Sequence, residues 1–134
     1  MNKVSDVEGI GPVYAEKLGT AGITTTDQLL EKGATPQGRR SIAESSGISD
    51  KLILEWVGMV DMFRIKGVKG QFSELLKAAG VDTVVELAQR NAANLHAKLT
   101  EINDAKKLSG RAPTASEVEQ WIAQAKEMPR VVTY

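Results

Sequence analysis

A chain of 134 residues is long enough for one substantial core or two small halves packed together. Its 42% hydrophobic and 25% charged content is that of an ordinary globular protein. Seventeen basic and seventeen acidic residues give zero formal net charge, which excludes an overall basic, strongly non-specific nucleic-acid binder but not a local basic patch.

No cysteine is present, so disulfides and thiolate metal sites are excluded, and a reducing cytoplasm suits the chain. The opening "MNKVSDVEGIG" lacks the apolar run of a signal peptide. The first element expected is a Gly-aliphatic-Gly turn at residues 9–11, followed by a helix with Pro12 in its first turn, where the missing N–H costs nothing. That helix stops at Gly22, a residue that tolerates left-handed backbone. Thr25 with Gln28 has capping-box spacing, and Thr35-Pro36 starts a third helix. In the fourth, Leu52, Ile53, Trp56, Val57, Val60 and Phe63 recur at helical spacing. This most apolar stretch carries Glu55 and Asp61 and is too short to span a bilayer. The expectation is a soluble, cytoplasmic protein without membrane contact.

A second series then begins. "RIKGVKGQF" is again a glycine turn, Gly80 again a helix stop, and Thr83 with Glu86 again a cap. The segment 103–116, "NDAKKLSGRAPTAS", has the punctuation of a loop, and Thr114 with Glu117 starts the closing helix with Trp121 and Ile122. No segment alternates like a strand, so the fold class expected is all-α.

The two series are one pattern. Laid over residues 66–89 without a gap, residues 8–31 are identical at seven of 24 positions: Gly9/Gly67, Glu16/Glu74, Leu18/Leu76, Ala21/Ala79, Gly22/Gly80, Thr25/Thr83 and Leu29/Leu87. Glycines, core positions and a cap are the residues that set backbone path and packing. Trp56-Val57 and Trp121-Ile122 match in turn, with about seven extra residues in the second copy, assigned to the 103–116 loop. The domains expected are residues 1–64 and 65–134, packed into one unit with Trp56 and Trp121 as buried anchors.

"VEGIGPVYAEKL" resembles the helix-hairpin-helix family. The later half of each copy, as in "LLKAAGVDTVVELAQ", resembles part of the C-terminal domain of the RNA polymerase alpha subunit. From about Val4 to Met128 the chain is similar to an uncharacterised bacterial family of doubled helix-hairpin-helix repeats with a Trp-containing closing helix. The resemblance implies a SAM-like helical fold with tandem repeats. It also implies turns whose backbone N–H groups, with the next helix's N-terminus, take a DNA backbone phosphate without reading sequence.

On that basis the candidate nucleic-acid-binding residues are Gly9, Ile10 and Gly11 in the first turn and Gly67, Val68, Lys69 and Gly70 in the second, with Arg64 and Lys66 adding charge. The first turn has the spacing but neighbours Asp6 and Glu8. The second has Arg64, Lys66 and Lys69, yet Lys69 replaces the second glycine and Gly70 falls one place late. Both turns can equally be corners that serve packing alone.

The alternative function is a protein-interaction or scaffolding module, since all-α repeats of this size suit adaptors and zero net charge limits self-repulsion, with the apolar, methionine-containing "WVGMVDMF" as a candidate contact if part of it stays exposed. "GRR" at 38–40 reads as solvated surface or a phosphate contact. His96, the single histidine, is too little for a histidine metal site or a Ser-His-Asp arrangement. Asp50, Glu55 and Asp61 share a helix without convergence, so paired-carboxylate catalysis has no support. Glycosylases with such hairpins need a second catalytic lobe for which this chain has no room. No enzyme activity, cofactor or small-molecule ligand is expected.

Overall fold

The computed structural model describes every residue except Met1, Glu8 and Lys69. Among the described residues there are eight α-helices and no strand, apart from one isolated bridge between Lys3 and Thr25, so the chain is all-α as expected. It divides into two compact units. Unit 1 is Met1–Asp61 together with Val131–Tyr134, and unit 2 is Met62–Arg130.

Unit 1 opens with a 3₁₀ turn, Val4–Asp6, and continues with α1 (Pro12–Thr20), α2 (Thr26–Lys32), α3 (Pro36–Ser46) and α4 (Asp50–Met62), whose last residue belongs to unit 2. Local chemistry sets these starts. The Thr25 hydroxyl accepts from the Gln28 N–H while the Gln28 side chain reaches back to the Thr25 N–H. Thr35 accepts from Gly38 N–H and Ser49 from Leu52 N–H, which caps α3 and α4. Inside lie Val4, Val7, Ile10, Leu18, Ile23, Leu29, Ile42, Ile53, Trp56 and Val57, all buried.

Unit 2 holds α5 (Gln71–Ala78), α6 (Val84–Ala88), α7 (Ala92–Lys106) and α8 (Ala115–Glu127). Thr83, Asn91 and Thr114 cap the last three through the N–H groups of Glu86, Asn94 and Glu117. One apolar cluster runs from Met62, Ile65 and Val68 through Leu75, Leu76, Val81 and Leu87 to Leu95, Leu99, Val118 and Trp121. Helix α8 packs against both α6 and α7. The segment expected as a 103–116 loop is shorter than that: residues 103–106 are the last turn of α7, and the buried Asn103 side chain accepts from Ser109 N–H to turn the chain. Part of the extra length of the second series is helix.

Individual contacts recur 58 residues apart. Ile10 N–H donates to Val7 O at 3.0 Å, and Val68 N–H to Ile65 O at 3.1 Å. Ile23 N–H donates to Leu18 O at 2.9 Å, and Val81 N–H to Leu76 O at 2.9 Å. The cations recur as well, with acceptors one position out of register: Lys32 reaches the Gly22 carbonyl beyond α1, and Arg90 the Ala79 carbonyl at the end of α5, each at 3.3 Å. The ring of Tyr14 meets Trp56 edge-on at 5.1 Å, and Phe72 meets Trp121 at 5.4 Å.

Two sequence expectations need correction. Arg39 is not a solvated or phosphate-facing residue: it is 5% exposed, donating from Nη1 to Gly33 O at 2.8 Å and from Nη2 to Thr133 O at 2.7 Å. Burial pushes its pKa below the ordinary guanidinium value, an effect opposed by Tyr134 and Asp50. "WVGMVDMF" is not an exposed contact either, because Trp56 to Met62 is buried without a break and Phe63 is partly buried. That segment therefore offers the scaffolding alternative no exposed apolar contact.

Candidate functional site

Each glycine turn holds two glycines with different jobs. Gly9 and Gly67 have φ of 91° and 96°, a region that L side chains rarely adopt. A Cβ on Gly9 would stand 3.6 Å from Trp56 Nε1, and one on Gly67 only 3.1 Å from Trp121 Nε1. The indole of each closing helix thus lies against the first glycine of its own unit's turn, which accounts for the paired glycines and tryptophans in the sequence. Both indoles are buried, as expected of core anchors.

Gly11 and Gly70 differ. Each is the N-cap of the helix that follows, its carbonyl accepting the first intrahelical bond from Ala15 and Glu74 respectively. A Cβ on either would meet nothing within 4 Å. Gly11 has φ −84°, so positive φ is a property of the first glycine of this turn and not the second. Gly70 aligns with Pro12 and not with Gly11, so α5 starts one position later in the repeat than α1, behind a backbone of φ 53° and ψ −119° that favours glycine. Packing explains neither.

The consequence is chemical. Six of the eight α-helices begin with a Thr, Ser or Asn side chain filling a first-turn N–H; α1 and α5 have no side-chain cap. No acceptor among the described residues meets the N–H groups of Gly11, Val13 and Tyr14, or those of Gln71 and Phe72. Such donors at the positive end of a helix favour an anion.

The other candidates divide. Ile10 and Val68 are corrected as donors, since their N–H groups are bonded within the turns to Val7 and Ile65 and their side chains are buried wedges. Lys66 is exposed, its backbone held by both ends of the Gln124 amide. Arg64 is partly buried and donates to the Pro129 carbonyl at 2.8 Å, so its charge remains but its reach is fixed. Lys69 and Glu8 lie outside the described residues. Asp6 is exposed beside the first turn.

The sequence reading missed Arg111. The loop before α8 carries its guanidinium over the Phe72 ring at 5.1 Å, beside the start of α5, and Gly110 N–H donates to the Gln71 side chain. Arg111 is paired with Glu117 through two bonds of 2.7 and 3.0 Å, which hold the Glu117 carboxyl down at about 2. Its place beside α5 depends on how the loop folds, and no local pattern signals that. On unit 1, Lys17 stands over the Tyr14 ring at 5.9 Å.

No helix among the described residues is long and apolar enough to cross a membrane. Among those residues, no group of three or more His, Asp or Glu is placed to hold a metal ion. No curated protein and no solved structure matches the chain. The model of one family, described as a domain of unknown function (DUF4332), matches residues 8–128, nearly the whole chain; the protein belongs to that family.

Proposed function

We propose that the two turns are tandem helix-hairpin-helix elements that bind the nucleic-acid backbone, DNA above all, weakly and without reading sequence, in the cytoplasm. The protein acts in this reading as a binding module and not as an enzyme. One observation carries it: the helix starts that follow the two turns are the ones left without a side-chain cap, each behind an exposed glycine with open space around it. Glycine there admits a phosphate oxygen close to the backbone, where N–H groups without an acceptor among the described residues and the helix dipole meet it. Gly11 and the N–H groups of Val13 and Tyr14 serve one phosphate, Gly70 and those of Gln71 and Phe72 another. Gly9 and Gly67, with Ile10 and Val68 buried beside them, shape the turns. Lys66, Arg64 and Lys69 supply charge near the second.

With zero net charge and so few phosphates neutralised, affinity should be micromolar or weaker, roughly, at physiological salt, and should fall as salt rises. Fluorescence anisotropy with labelled duplexes of unrelated sequence measures this. Gly11→Asp separates function from architecture. Its backbone suits any residue, the space is open, and Asp is a preferred N-cap, so the fold should hold or gain slightly. The new carboxylate occupies the donors and repels phosphate, so binding should weaken alike on every sequence. Lys66→Glu should act in the same direction. No binding by the wild type at low salt would reduce the turns to corners; a Gly11→Asp protein that binds undiminished would remove α1 from the site.

A further inference from the structure

The two units differ in charge. Unit 2 carries eleven Lys and Arg against eight Asp and Glu, whereas unit 1 carries six against nine, so unit 2 is the half that attracts a polyanion. The loop before α8, in the stretch that lengthens the second series, contributes Lys107 and Arg111 and no acidic residue. It brings Arg111 to the start of α5, where Gly110 N–H donates to the Gln71 side chain and the guanidinium lies over the Phe72 ring at 5.1 Å. Gln71 and Phe72 are also the residues whose N–H groups meet no acceptor among the described residues. Anion donors and guanidinium thus share one residue, Phe72.

Arg111 is held by its edge. Its Nη1 and Nη2 donate to the two Glu117 carboxylate oxygens at 2.7 and 3.0 Å, and Nη1 also to Ala112 O at 3.3 Å. Guanidinium N–H groups lie in the plane of the group, so these bonds fix the plane and leave its faces free. Phe72 takes one face, and the side chain is still 60% exposed. A planar cation, paired at its edge and open on a face, is a surface on which a flat base stacks. Unit 1 has no equivalent, since the cation over Tyr14 is Lys17, at 5.9 Å, whose ammonium has no plane. Bases inside a duplex are already stacked on both faces, so the base that uses this surface is an unpaired one. We propose that Arg111 stacks an unpaired base beside the second turn, so that unit 2 takes single-stranded nucleic acid in preference to duplex; this rests on the backbone binding proposed for that turn.

Fluorescence anisotropy on the full chain tests this with three labelled probes: a DNA strand, the duplex of the same sequence, and an abasic strand of the same length. The single strand should bind about fivefold or more tightly than the duplex, the gain that one stacked base supplies. The abasic strand keeps the phosphates and should lose that gain. Arg111→Lys keeps the charge on an exposed side chain but has no plane, so its ratio of single-strand to duplex affinity should fall towards one. A wild-type ratio of one or less overturns the stacking while backbone binding stands. An Arg111→Lys protein, or an abasic strand, that keeps the full wild-type preference overturns it equally. Binding of neither strand nor duplex at low salt defeats the backbone reading itself, and the stacking with it.

Discussion

Gly9 and Gly11 are alike on paper, yet tertiary structure gives them opposite tolerances. Gly9, like Gly67, combines positive φ with an indole at contact distance, whereas Gly11 has ordinary backbone and open space. Gly67→Ala should cost about 2–3 kcal/mol and Gly9→Ala about 1–2 kcal/mol, because strain is common to both and the indole is closer at Gly67. Gly11→Ser should stabilise by about 0.5 kcal/mol, by supplying the missing cap and stiffening the unfolded chain. Urea denaturation orders the three, and equal losses would mean that the glycines are not so divided. Trp56→Ala and Trp121→Ala should each cost about 3–5 kcal/mol, the range for a large buried aromatic. The glycine and tryptophan pairs were legible in the repeated sequence. That they touch was not, because 47 and 54 residues of chain separate them (Gly9 to Trp56, Gly67 to Trp121).

At the scale of helices, the starts were readable because a cap acts over three residues. Thr25, Thr35, Thr83 and Thr114 all sit where the sequence places them. The start of α8 carries an additional ionic device: Glu117 closes the box with Thr114 and also binds Arg111. Its carboxyl is held at about 2, below its ordinary 4.5, chiefly by the Arg111 hydrogen bonds and then by the Thr114 N–H. A lowered folded-state pKa adds stability that is fully present above about 4.5 and lost as pH falls towards 2. Glu117→Gln should therefore cost about 1 kcal/mol at neutral pH, an exposed pair being screened by water. The gap between the two proteins in urea midpoint should close as the buffer is acidified through that window. A gap that stays constant down to pH 2 would mean the carboxylate contributes nothing ionic.

For the whole molecule, chain order and spatial order diverge: unit 1 is finished by residues that follow unit 2. Arg39 binds Thr133 across 94 positions of sequence. Arg39→Met keeps much of the apolar stem but leaves the Gly33 and Thr133 carbonyls without their donor, at a cost of about 1–3 kcal/mol. Amide exchange gives the sharper test, since Thr133 N–H is bonded to Ala34 and should be protected in the wild type and fast in Arg39→Met. Unchanged protection would mean that residues 131–134 hold without the arginine. "GRR" looked like surface because two adjacent arginines after a glycine carry no sign of a partner so distant in the chain.

What the sequence determined by itself is what acts over a few residues: the all-helical content, the caps, the helix stops at Gly22 and Gly80, and the apolar faces that bury the tryptophans. These depend on hydrogen bonds and periodicities spanning one turn of helix, which composition and spacing encode directly. Tertiary structure decided which glycine packs and which stands open, that the Ile10 and Val68 donors are already spent, that Arg39 is buried, and that Arg111 stands beside α5. Each of those outcomes depends on where a distant segment arrives. That arrival is settled by burial of the core as a whole, and no local pattern of residues contains it.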